Sequence, residues 1–113
     1  MQKYIFWIDT MLLRKNFVQS FTSEDYHFYT LDQAGDIDYL IHDLTPALIF
    51  IHHSFIVEIH QLLQKNPDLK SRIVLILDDQ SDLLKSDFRG KELRTLQLPI
   101  SFDNFLENVL AFL

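Results

Sequence analysis

The sequence predicts an α/β domain in which five parallel strands alternate with five helices. Short, almost wholly apolar runs recur along the chain, and stretches with helical spacing of apolar residues separate them. Such alternation favours a parallel sheet covered on both faces, because parallel strands need crossover helices. At 113 residues with 48% apolar content, the chain suits one compact domain with a real core.

The elements follow in order. Residues 4–8 form the first apolar run, and 11–21 follow as a helix with Leu13, Phe17 and Phe21 four apart on one face. Residues 26–31 read as an aromatic-rich strand. Ile37, Leu40, Ile41 and Leu44 give the stripe of an amphipathic helix. Pro46 opens the most apolar run, Ala47-Leu48-Ile49-Phe50-Ile51, which suits a strand buried on both faces. Ile56, Ile59 and Leu63 continue as a helix that should stop near Asn66-Pro67.

A second fully apolar strand spans 73–77. A polar helical stretch over 81–88 should end at Gly90, and the last strand covers 93–98. Ser101 can cap a final helix whose apolar face is Phe102, Phe105, Leu106, Val109, Leu110 and Leu113. Strands are therefore expected near 3–8, 26–31, 47–52, 72–77 and 93–98, with Phe6, Ile8, Leu48, Phe50, Val74, Ile76, Phe105 and Leu106 buried. One domain over 1–113 is expected, open to being the N-terminal domain of a longer protein.

Composition excludes several functions. A net charge of −6 repels nucleic acid and anionic membranes at long range, and no run of Lys and Arg offsets it. With no cysteine, disulfides, thiolate metal sites and cysteine nucleophiles are absent. Asp9 interrupts the N-terminal apolar run too early for a secretory signal, and no run approaches the roughly 20 residues of a membrane span. The expectation is a cytoplasmic protein. Two glycines and three prolines leave no glycine-rich phosphate loop, and Thr10-Met11-Leu12-Leu13 is too bulky for close backbone approach.

In a doubly wound sheet, ligands gather at the carboxyl ends of the strands. Those ends are Ile8-Asp9-Thr10, Ile51-His52-His53, Leu77-Asp78-Asp79 and Leu98-Pro99. The five-fold alternation, the strand-end Asp9, the segment from Pro46 to Ile51 and Leu98-Pro99 before an amphipathic helix together resemble the receiver domain of bacterial response regulators. The resemblance implies a flavodoxin-like sheet of order 2-1-3-4-5. It also implies a phosphorylation pocket: a paired acid holding Mg²⁺ after the first strand, a phosphoacceptor aspartate ending the third, Thr or Ser ending the fourth, and Lys before the proline after the fifth.

This chain departs from that pattern at nearly every position. Asp9 keeps the first acid and Thr10 replaces the second. His52 stands at the phosphoacceptor, Asp78 at the Thr/Ser, Leu98 at the Lys and Thr95 at the aromatic switch position. Mg²⁺ wants several oxygens, and two carboxylates are lost. Leu98 cannot neutralise an acyl phosphate, and Asp78 adds negative charge where a phosphoryl oxygen needs a donor. The pocket Asp9, Thr10, His52, Asp78 and Leu98 therefore reads as degenerate.

The expected function is a phosphorylation-independent pseudo-receiver of two-component or phosphorelay signalling, not an enzyme, acting through protein–protein contact or dimerisation. By analogy with receivers, the contact face comprises Leu83, Leu84, Phe88, Leu93 and Thr95, with Asp103, Glu107 and Asn108 along the polar side of the last helix. No cofactor and no metal are expected. The rival is a small-ligand or metal-sensing domain using Asp9, His52 and Asp78, since imidazole and carboxylate suit Zn²⁺; a neutral pocket with His52 hydrogen-bonded to Asp9 or Asp78 explains the same residues. A phosphohistidine at His52 would face repulsion from Asp9 and Asp78. Ser20, Ser54 and Ser101 have no His-Asp pairing at readable spacing, and His27, His42 and His60 read as surface or helix-edge residues.

Overall fold

The computed structural model describes residues 3–21, 24–35, 37–78, 93–98 and 102–113. They form a five-stranded, all-parallel sheet of order β2-β1-β3-β4-β5, as expected of the flavodoxin-like arrangement. The strands are β1 (Lys3–Ile8), β2 (Tyr26–Leu31), β3 (Leu48–His52), β4 (Ile73–Leu77) and β5 (Arg94–Gln97). The described helices are α1 (Leu12–Gln19), α2 (Ile37–Leu44), α3 (Ile56–Lys65) and α4 (Phe102–Phe112). The helix expected over 81–88, its Gly90 cap, the Ser101 cap and Pro99 lie outside the described residues, as do Leu83, Leu84 and Phe88.

Every residue of β3 and β4 is buried, because these inner strands carry helices on both faces. Alternate side chains divide the core in two. Phe6, Ile8, Ile49, Ile51, Ile73 and Leu75 meet Ile37, Ile41, Ile59 and Leu62 of α2 and α3. Ile5, Trp7, Leu48, Phe50, Val74 and Ile76 meet Val18, Phe105 and Val109 of α1 and α4. The second cluster is aromatic, with Trp7 5.4 Å from Phe50 and 5.8 Å from Phe105 between ring centroids. All the described side chains expected to be buried are so; that of Leu106 lies outside them.

Two helical faces differ from expectation. Leu13 is 78% exposed, because the first turn of α1 lies level with the strand ends, where it borders a cavity instead of packing on the sheet. On α4 the inward stripe is Phe105, Val109 and Phe112, while Leu110 is 62% and Leu113 43% exposed. Apolar periodicity alone admitted a wider face than the sheet covers. At the other end of the sheet, α2 closes on Thr45 at φ 44°, whose N–H still bonds Ile41 O at 2.9 Å, and Pro46 follows. That left-handed turn redirects the chain into β3.

Candidate functional site at the strand ends

Period-two alternation places Asp9, His52 and Asp78 on the same side as α1 and α4, in step with Trp7, Phe50 and Ile76. Ile8 pairs with Ile51, so the next residues, Asp9 and His52, emerge level with each other. Asp9 is fully buried and His52 is 7% exposed, whereas the Asp78 side chain is 44% exposed. The backbone N–H of Met11 donates to Asp9 Oδ1 at 3.2 Å and helps fix the start of α1.

The centre of the site is Arg14. Its Nη2 donates to Asp9 Oδ1 at 2.9 Å, and its Nε lies 2.6 Å from Asp9 Oδ2. Its Nη1 donates to Asp78 Oδ1. One guanidinium thus engages both oxygens of Asp9 and bridges to Asp78. Burial pulls the Arg14 pKa down, but hydrogen bonds to Asp9 and Asp78, with their charges, more than reverse this and raise it above its ordinary value. Burial likewise pushes the Asp78 carboxyl up, and hydrogen bonds from Arg14 and His52 with the neighbouring positive charge outweigh it, holding the group at about 2.

His52 completes the network. Its Nδ1 accepts from the Ser54 backbone N–H at 3.2 Å and lies 2.7 Å from Ser54 Oγ. That leaves the proton on Nε2, which donates to Asp78 Oδ2 at 2.7 Å. Ser54 belongs to a 3₁₀ turn, His53–Phe55, that runs directly into α3. The His53 Nε2 lies 3.4 Å from the same Asp78 oxygen, and the two imidazole centroids are 4.3 Å apart.

Of the expected pocket residues, Asp9, His52 and Asp78 are brought together, with Asp78 as the partner of His52. Thr10 is exposed and takes no part in this network among the described residues. Leu98 lines a cavity of about 410 Å³ with Trp7, Leu13, Arg14, Phe17, Asp78 and Phe105. The Trp7 indole N–H, almost fully buried, has no acceptor among the described residues. The residues do not fit Mg²⁺. That ion demands near-octahedral oxygen ligands, yet both oxygens of Asp9 are held by Arg14, and Thr10 and His52 stand where acids would be needed.

Arg14 and His53 were absent from the expected site. A signal for Arg14 was present: a cation in a helix's first turn opposes the helix dipole and needs an anion nearby. His53 stands beside His52 at the end of the third strand in the sequence, but its approach to Asp78 depends on the 3₁₀ turn.

No protein-family model matches the sequence, and no curated protein matches it significantly. The structure is similar to NtrX from Brucella abortus in complex with ATP, with TM-score 0.76 and 18% identity over 98% of this chain. The chain spans only 26% of that protein's length. It is also similar to a two-component transcriptional regulator AraC from Clostridium phytofermentans ISDg, with TM-score 0.68 and 12% identity, covering 98% of this chain and 91% of the other. At these identities the likeness concerns the fold, which this chain shares with both proteins.

Proposed function

We propose that this chain is a receiver-like signalling domain that works without phosphorylation, by docking a protein partner or a second copy of itself. The observation that carries this reading is the guanidinium of Arg14 between Asp9 and Asp78. In a receiver, a divalent cation would be held by strand-end acids and would draw in phosphate. Here a covalently attached cation takes that place, and His52 has no carboxylate to phosphorylate. A similar fold in a two-component transcriptional regulator supports the signalling assignment.

The proposed contact face includes the half-buried Leu93 and Thr95, together with Leu83, Leu84 and Phe88 outside the described residues. Leu84→Glu, Phe88→Glu and Thr95→Arg, checked for intact folding by circular dichroism, should abolish partner capture or dimerisation. His52→Ala should leave it nearly unchanged. If His52→Ala loses binding while the face variants keep it, the docking reading fails and the strand-end site takes over.

A further inference from the structure

We propose that His52, His53 and Asp78 form a binding site for a divalent transition metal of the zinc type. The ligand atoms all lie within 4.8 Å of one another. His52 Nε2 and His53 Nε2 sit 2.7 Å and 3.4 Å from Asp78 Oδ2, so both imidazoles already point at one carboxylate oxygen. Ligands about 2.0–2.1 Å from a tetrahedral zinc stand about 3.3 Å apart. The His53 pair has that spacing, and the His52 pair needs only a small opening. Two nitrogens and one oxygen suit zinc or a neighbouring metal and disfavour Mg²⁺.

The surroundings orient each ligand. With metal on His52 Nε2, the imidazole proton moves to Nδ1, where Ser54 Oγ at 2.7 Å accepts it. Arg14 holds Asp78 Oδ1 and leaves Oδ2 directed at the histidines. Asp9, Arg14 and Asp78 together carry one net negative charge, which favours a cation. Asp9, taken up by Arg14, is not a ligand; His53 takes the role that the sequence suggested for it. Side chains of His53 and Asp78 that are 25% and 44% exposed give metal and solvent access, so three protein ligands leave a fourth position for water or a partner's group. Bound metal would tie the β3–α3 connection to the end of β4.

The inference does not rest on the docking reading. Zinc titrated calorimetrically into chelator-treated full chain should bind saturably, and zinc but not magnesium should raise the melting temperature. Cobalt should give the intense visible bands of a low-coordinate centre. His53→Ala and His52→Ala should each weaken zinc at least about tenfold, while His42→Ala and His60→Ala leave it unchanged. His53→Ala leaves the Arg14 network intact, so its folding provides the control. Absence of saturable binding, or binding that survives both ligand variants, would overturn the proposal.

Discussion

Arg14 sits in the first turn of α1, where the helix's positive end disfavours a cation, yet it pairs with a fully buried Asp9 and reaches Asp78. Removing one partner of a buried pair leaves an uncompensated charge, at a typical cost of about 3–5 kcal/mol. Arg14→Ala should lower stability by an amount of that order in urea unfolding, and adding Asp9→Asn should recover a substantial part. The same network gives a pH signature. The Asp78 carboxyl lies at about 2 in the folded chain against its usual 3.8, so the unfolded chain binds more protons between those values. Its stabilising contribution is complete above about pH 4 and is lost as pH falls toward 2. Partial exposure keeps that contribution small. Asp78→Asn should flatten this part of the stability curve, and a slope unchanged by the substitution would refute the assignment.

Among the elements, β3 and β4 were legible because strands covered on both faces must be apolar throughout, and their bounds differ from expectation by one residue at most. The helices were less legible. Their periodicity identifies a stripe but not the edge of the sheet beneath it, hence the exposed Leu13 and Leu110. Phe105 shows where the energy lies: it is fully buried and ringed by Trp7, Phe17, Phe21 and Phe50, with centroids 4.7–6.5 Å away. Phe105→Ala should cost about 3–5 kcal/mol. Leu110→Ala should stay within about 0.5 kcal/mol, since its side chain is largely solvated. Equal losses in denaturant melts would mean that α4 is rotated relative to this packing. The strand-end residues Asp9, His52 and Asp78 were legible because topology alone brings strand ends together. Arg14 comes from the helix that follows β1, on which strand patterning is silent, and the approach of His53 to Asp78 depends on the turn after β3.

For the whole molecule, the five-stranded parallel sheet brings an internal ion pair and a histidine pair together at its strand ends, and the proposed reading is that this edge does not accept phosphate. Phosphoryl transfer depends on positioning and on neutralising charge at phosphorus. On the proposed reading, His52→Asp would supply a nucleophile, but Thr10 would supply no second carboxylate, Leu98 would offer hydrocarbon in place of a cation, and Asp78 would repel the dianion. On that reading each change would cost about 2–4 kcal/mol of transition-state stabilisation, by comparison with the loss of one oxyanion donor. The most direct test exposes wild type and His52→Asp to a small acyl phosphate, and separately to beryllofluoride, each with Mg²⁺. Intact-mass spectrometry and amide NMR spectra provide the readouts. No added phosphate and no shift at Asp9, His52 or Asp78 are expected; an acid-labile adduct on wild type, or a mimic-induced shift at these strand ends, would show that the site accepts phosphate after all.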